Sequence, residues 1–362
     1  MDEALEAAGW SEREPRRRAA RARGQLYGMG FSVYTEPDGF KDNRVRMSFD
    51  PAGHLTVVTS AQTNGQGHAS AYTQIAQTLL GLPAAAVEVV EGDTDLTGYA
   101  SGSGGSRSTT VTGAAMHANA RALTEKGRRI AAHLLEADPG DVVFEAAAGS
   151  AGAGGGPPET PFRITGTDAG VSWSDVAAAA HDPARLPAGL DPGLESDHHY
   201  DAPVYCYPSG CHVCEVEIDP ETGEVRIVGY LCASDLGTVV NPGIVEGQLH
   251  GGIAQGLGQG VFERTVYDPE RGQLLSASFM DYCLPRASQL PAFELHRASI
   301  PCTTNPLGVK GVGESGPTAA LPAVANAVHD ALRGFDRRDL QMPFTPERIW
   351  RLLRADTGAG RG

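Results

Sequence analysis

No stretch of this 362-residue sequence approaches the ~20 consecutive apolar residues that a membrane-spanning helix requires. The basic segment at 13–23 leads into Gly24-Gln25-Leu26-Tyr27-Gly28-Met29-Gly30, which is too short and too rich in glycine for the apolar core of an export signal. Positive charge is also scarce. There are 29 Lys and Arg against 44 Asp and Glu, a net charge of −15, and the basic residues do not gather on one predicted face. That excludes nucleic acid and anionic membranes as partners. The six cysteines (206, 211, 214, 232, 283 and 302) form no regular framework, so they read as reduced cytoplasmic thiols and not as disulfides. The common phosphate fingerprints are missing too. There is no Gly-x-x-x-x-Gly-Lys-Ser/Thr, and Gly102-Ser103-Gly104-Gly105-Ser106-Arg107 lacks the third glycine of a dinucleotide-binding turn.

Hydrophobic residues make up 41% of the chain, enough to bury real cores, and the length suggests two or three compact units. Strand patterns fall at 29–35, 55–60 and 87–91, and a hairpin at 213–219 and 224–234 turns at Pro220-Glu221-Thr222-Gly223. Helical periods fall at 69–80, stopped by Gly81 and Pro83, and at 110–137. Further helices are expected at 173–180 and, opened by Asn241-Pro242-Gly243, at 244–258, with one ending near 332 and a last one opened by Thr345-Pro346-Glu347. A short helix is expected at 2–8, and 186–201 reads as irregular. Strands and helices mix without strict alternation, so the fold class is α+β, with two α/β subdomains. The organisation expected is a lead-in at 1–24, a subdomain at 25–145, a low-complexity flexible loop at 146–161 and a second subdomain at 162–362.

Three loops share one design: a glycine cluster with polar side chains, followed by a helix. They lie at 62–70, 101–110 and 310–318. Glycine lets backbone N–H groups approach a ligand, and a helix N-terminus offers unpaired donors with positive potential. Any one of them alone reads as an ordinary turn; three together point to one anion-rich cofactor. Glu314 stands in a tight turn at a helix start, where it is either a general base facing a cavity or a solvated acid favoured by the helix dipole. Ser315 lacks the Gly-x-Ser-x-Gly elbow and a paired His and Asp, so a serine nucleophile is not read. Cys211-His212-Val213-Cys214 reads as part of a strand, because no second pair of ligands accompanies it. His198-His199 reads as surface.

Taken together these loops resemble the molybdenum subunit of the xanthine dehydrogenase, aldehyde oxidase and carbon monoxide dehydrogenase family. The resemblance rests on segments standing in the family's order. Among them are Gly65-Gln66-Gly67-His68, Glu91-Gly92-Asp93-Thr94, Gly104-Gly105-Ser106-Arg107-Ser108, Asp235-Leu236-Gly237, Gly247-Gln248 and Lys310-Gly311-Val312-Gly313-Glu314-Ser315. The resemblance implies molybdenum–molybdopterin, in the cytosine dinucleotide form. Carried over by position, Asn64, Gly65, Gln66 and Gly67 contact the cofactor, Gly104, Gly105, Ser106, Arg107 and Ser108 contact it and its phosphates, Gln248 approaches the pterin, and Glu314 is the catalytic base. No metal ligand is expected from the chain itself. The implied reaction is oxidative hydroxylation of an aldehyde or purine-like N-heterocycle carbon, with water as the oxygen source.

Family subunits are about twice this length and carry most substrate contacts on the part that has no counterpart here. A separate polypeptide is therefore expected to supply the front half, with 2Fe–2S clusters and FAD on further partner chains. The competing reading is a truncated remnant that keeps the fold and binds no metal.

Overall fold

The computed structural model describes residues 1–146 and 159–359. The expected flexible loop at 146–161 lies almost wholly outside the described residues.

Two sheets carry the architecture. The first has the order β1 (Leu26–Thr35), β9 (Ser209–Ile218), β10 (Val225–Asp235) and β11 (Phe293–Ala298). The second has the order β4 (Val87–Glu91), β3 (Leu55–Thr59), β2 (Asp42–Phe49) and β8 (Leu194–Asp201). Three short strands, β5 (Val142–Phe144), β6 (Phe162–Ile164) and β7 (Gly170–Val171), form a third. Chain order and spatial order interleave. β1 crosses to pair with β9, and β8 returns to pair with β2, so each large sheet draws strands from both sides of the 146–161 segment.

Helices cover both faces of the first sheet. α8 (Ser315–Ala331) packs on β1 and β9, with α7 (Pro242–Leu257) beside it. Val216, Ile218, Tyr230, Ile253, Val324 and Val328 fill that layer. α1 (Asp2–Ala7) and α2 (Arg13–Ala22) close the opposite face over Tyr27, Met29, Cys211 and Val213. β9 is therefore covered on both sides, and its apolar residues do not alternate cleanly. The close seat of α8 on β1 requires glycine: a Cβ at Gly30 would stand 2.2 Å from the Ala327 nitrogen, and one at Gly28 only 2.0 Å from the Ala327 carbonyl oxygen.

The second sheet packs under α5 (Ser108–Leu134), with α3 (His68–Leu80) and α6 (Trp173–His181) beside it. Val45, Met47 and Phe49 point inward from alternate positions of β2, against Met116, Leu123 and Trp173. Ser172 and Asp175 form a reciprocal capping box at the start of α6. The last described element is α9 (Pro346–Ala359). Among the described residues no helix is long and apolar enough to cross a membrane.

Four differences from the sequence reading have physical causes. The lead-in contains α2, whose mean composition is so basic that it lacks an apolar stripe; Arg17 is nonetheless buried and paired. β2 was hidden by its charges, because Arg44 and Arg46 separate the buried positions. β8 is a polar edge strand inside the segment read as irregular, and His198 and His199 are exposed on it. β11 is likewise an edge strand, added in parallel to β10.

Candidate active site

Four helices begin around one cleft. The starts of α3, α5, α7 and α8 contribute His68, Ser108, Asn241 and Glu314 to its lining, and its volume is about 850 Å³. α7 is capped by its own Asn241 side chain, which accepts from the Ile244 nitrogen at 2.9 Å. The starts of α3, α5 and α8 have no side-chain cap. The starts of α3 and α5 leave backbone donors and a positive dipole end at the cleft, the arrangement that receives an anionic group. At α8, by contrast, the Glu314 nitrogen donates to Ser106 Oγ, the Ser315 nitrogen donates to the Val312 carbonyl, and Pro317 has no N–H.

The loops before these helices are held open from behind. In the first, the Gln66 side-chain Oε1 accepts from the Asn64 nitrogen and from Thr63 Oγ1. In the second, Arg107 is buried and donates from Nη2 to the Ser101 and Gly102 carbonyls, bracing the loop against the Phe40 ring. Gly65 (φ 107°) and Gly104 (φ 154°) face outward, and a Cβ at either would meet nothing within 4 Å. Side chains there would project into free space where a ligand's phosphates would lie, so both glycines read as a cradle. The residues present thus fit a bulky, multiply anionic cofactor.

The third loop, 308–314, is tied at every turn. The Lys310 nitrogen donates to the Leu236 carbonyl at 3.2 Å, Lys310 Nζ reaches Asp235 Oδ2 at 2.6 Å, and the Gly311 nitrogen donates to Asp38 Oδ2. At its end the Glu314 nitrogen donates to Ser106 Oγ at 2.9 Å, and that hydroxyl lies 3.2 Å from Glu314 Oε2 and 2.9 Å from Glu36 Oε1. Glu314 is exposed at the cleft, whereas Glu36 is partly buried behind it. Burial pushes the Glu36 carboxyl up to about 7; the Ser106 bond opposes this and the Glu314 charge adds to it. Burial likewise raises Asp38 to about 6, against the Gly311 bond.

Of the residues singled out from the sequence, Asn64, Gly65, Gln66, Gly104, Gly105, Ser106, Ser108, Gln248 and Glu314 line this one cleft. Gly67 stands behind it, against Ile244, and Arg107 faces away into its own loop. Lys310 and Gln255 also line it, without a role assigned from sequence. Glu36 and Asp38 went unnoticed. The available signal was two carboxylates, Glu36-Pro37-Asp38-Gly39, directly beyond a strand end. The β1–β9 register carries them in: the Glu36 nitrogen donates to the Pro208 carbonyl, and Asp38 bridges Cys206.

Ser315 is fully buried at the start of α8. Cys211 and Cys214 are three apart on β9 and therefore face opposite layers of the sheet, while His212 Nδ1 is 2.7 Å from the Tyr230 hydroxyl. Burial holds that imidazole down at about 3, so it is neutral.

Residues 3–291 match the molybdopterin cofactor-binding domain family. The carbon monoxide dehydrogenase large chain of Hydrogenophaga pseudoflava is 35% identical over 366 residues, covering 97% of this chain and 44% of that protein. The nicotine 6-hydroxylase large subunit of Paenarthrobacter nicotinovorans is 35% identical over 347 residues, covering 92% and 41%. The solved structure of quinoline 2-oxidoreductase from Pseudomonas putida 86 superposes with a TM-score of 0.87 at 34% identity, covering 98% of this chain and 45% of that one. The chain spans less than half the length of these relatives. It belongs to the molybdopterin cofactor-binding subunit family of the xanthine dehydrogenase, aldehyde oxidase and carbon monoxide dehydrogenase type.

Proposed function

We propose that this chain binds molybdenum–molybdopterin, in its cytosine dinucleotide form, and supplies the base for oxidative hydroxylation of an aldehyde or N-heterocycle carbon. The observation that carries this reading is the convergence of the open N-termini of α3 and α5 on one cleft with Glu314, at the start of α8, on its edge. When bound, the cofactor supplies the redox chemistry and takes up the two electrons that leave the substrate carbon.

The chain's own residues bind and position. The first turns of α3 and α5, which follow the loops, present backbone N–H groups to the phosphates, with Gly65 and Gly104 leaving room for them. Gln248, on the face of α7 that lines the cleft, donates to the pterin. Glu314 accepts the proton released by the water-derived oxygen as it attacks carbon. Relatives named for nicotine and quinoline support an N-heterocycle.

A partner chain completes the site. Phe279 and Met280, in the segment between α7 and β11, are 83% and 92% exposed, and Tyr99 is 90% exposed. Large apolar side chains left this open support a covering chain, read as the front half of the molybdenum subunit. The relative named as subunit gamma of a dehydrogenase complex supports a multi-chain assembly, in which iron–sulfur and FAD subunits carry the electrons away. The six thiols are free, which supports action in the cytoplasm. A remnant that bound no cofactor would leave two open helix starts and a glycine cradle without a use.

The test is Glu314→Gln in the complex purified from its native host. Hydroxylation falls by about 10²–10⁴-fold while molybdenum content stays at the wild-type level. Activity within a few-fold of wild type contradicts the assignment.

A further inference from the structure

We propose that Glu36 is a positioning residue for Glu314: its carboxyl holds a proton that turns the Ser106 hydroxyl toward Glu314 Oε2. The inference rests on the reading of Glu314 as the base.

The argument begins with the valences of one serine. Ser106 Oγ has one hydrogen to donate and two lone pairs to accept with. Three groups compete for it: the Glu314 nitrogen at 2.9 Å, Glu36 Oε1 at 2.9 Å and Glu314 Oε2 at 3.2 Å. With both carboxyls ionised, a single hydrogen serves two like-charged acceptors. The arrangement is also short of donors elsewhere, since Glu36 Oε2 is buried without a partner among the described residues. A buried, unpartnered carboxylate oxygen is costly when charged.

One proton on Glu36 resolves this. The Glu36 O–H donates to Ser106 Oγ, the Ser106 O–H donates to Glu314 Oε2, and the Glu314 N–H fills the second lone pair. Every valence of the serine is then used. Of the two carboxyls, Glu36 is the one that keeps the proton. It is partly buried, while Glu314 opens to the cleft. The charged groups around it are acidic: Glu314 and Asp38 both push it toward the neutral form, and the nearest basic side chain of the catalytic loop, Lys310, is engaged by Asp235. The Tyr34 phenol, which feels the Glu36 charge, is itself held neutral by burial, at about 12. The Glu36 carboxyl is raised to about 7 by its burial and by these acidic neighbours.

Ser106 is also held where few residues go. Its φ is 54°, in the left-handed region that non-glycine residues seldom adopt. A serine kept in that conformation between two carboxyls and under the Glu314 nitrogen marks a functional constraint.

Loss of the Glu36 proton reverses the switch. The Ser106 hydrogen then turns to Glu36 Oε1, the shorter of the two contacts, and Glu314 Oε2 loses its donor. No atom is transferred to or from substrate in this step; one proton leaves Glu36 to solvent.

The test needs neither cofactor nor substrate in its first arm. Infrared spectra of the full chain labelled with ¹³C at the glutamate carboxyls are followed against pH. The expected result is a protonated-carboxyl band that persists to neutral pH, disappears in Glu36→Gln and titrates at lower pH in Glu314→Gln, where a negative charge is removed. No such band on the acid side of about 7, or a band unchanged in Glu36→Gln, overturns the proposal. The second arm uses the loaded complex. Wild-type kcat/KM falls on the alkaline side as Glu36 ionises. Glu36→Ala lowers kcat/KM by roughly 10–100-fold, and Glu36→Gln, with its permanent N–H donor, recovers part of that loss and moves the alkaline limb. A limb that stays in place in Glu36→Gln overturns the proposal. If the Glu314 reading fails, Glu314→Gln stays active whatever the spectra show. If only this inference fails, Glu314→Gln is inactive and the Glu36 band is missing.

Discussion

Lys310 Nζ stands 2.6 Å from Asp235 Oδ2, and the two side chains are only 11% and 14% exposed. This pair ties the loop that carries Glu314 to the end of β10. Asp235 also accepts from the Gly237 and Ile300 nitrogens, both at 3.1 Å, so the carboxylate gathers three separate segments.

Asp235→Ala leaves the Lys310 ammonium largely buried without its partner. Removing one member of a buried pair costs about 3 kcal/mol or more, read as a lower thermal midpoint. Burial works to raise the Asp235 carboxyl, but Lys310 and the two N–H groups together hold it below the ordinary carboxylate value. Its folded value lies below the unfolded one. Its stabilisation is therefore present above about 4 and lost as pH falls through the folded value. Acid melts should show wild type losing its advantage over Asp235→Ala in that range. A constant difference between them across the range contradicts this.

The opposite sign holds for Glu36 and Asp38. Their folded values are raised, to about 7 and about 6. Their contribution is present below the unfolded values of about 4 and is lost as pH rises through the folded ones. Glu36→Gln removes the penalty of ionising a buried carboxyl, so its thermal midpoint relative to wild type should improve from acid to mildly alkaline pH. A difference that does not vary with pH argues against the burial of this group.

Arg17 joins the N-terminal helices to α8. Its Nη2 lies 2.6 Å from Asp330 Oδ2, its Nη1 donates to the Tyr27 carbonyl, and Asp330 Oδ2 also accepts from the Met29 nitrogen at 3.0 Å. The Arg17 side chain is 4% exposed. Asp330→Ala leaves that guanidinium its backbone acceptors and the longer Glu14 contact at 3.4 Å, and should cost about 1.5–3 kcal/mol. A loss below about 1 kcal/mol, typical of a surface pair, would contradict the burial described.

Gly30→Val puts a branched side chain where the Ala327 backbone already stands. Overpacking of this kind costs about 1–3 kcal/mol or more. Because α8 begins at Glu314's neighbour Ser315, displacing α8 should also lower molybdenum content in the assembled complex. Unchanged stability would mean that α8 does not rest on β1 as described.

The loops that line the cleft were legible in the sequence because glycine followed by a helical period is a local pattern. Asn64 to Ser70 and Ser103 to Ser108 carry it within a few residues. Their convergence was legible only through the family resemblance, since contacts such as Gly311 to Asp38 and Glu314 to Ser106 join residues far apart in the chain. α3 is legible from its apolar period and the Gly81 and Pro83 stop, α7 from the Asn241-Pro242-Gly243 that opens it, and β4 as a short β-branched run. β2 and β8 were not. Alternating arginines mask the buried face of β2, and β8 is an edge strand whose side chains are mostly polar. Glu36 was invisible for another reason. Nothing local distinguishes an acid after a strand end from a solvated one; only the pairing of β1 with β9 places it behind Ser106.

The central claim is that this chain holds a molybdenum cofactor in the cleft where α3, α5 and α8 begin. The most direct measurement is molybdenum per chain, by elemental analysis of the complex purified from its native host at mild salt, for wild type and for Gly104→Val. The account predicts near-stoichiometric molybdenum in wild type, a second large polypeptide co-eluting, and a marked loss in Gly104→Val from a folded preparation, because the added side chain fills the cradle. No molybdenum above background in folded wild-type complex would contradict it, and the role given to Glu314 would fall with it.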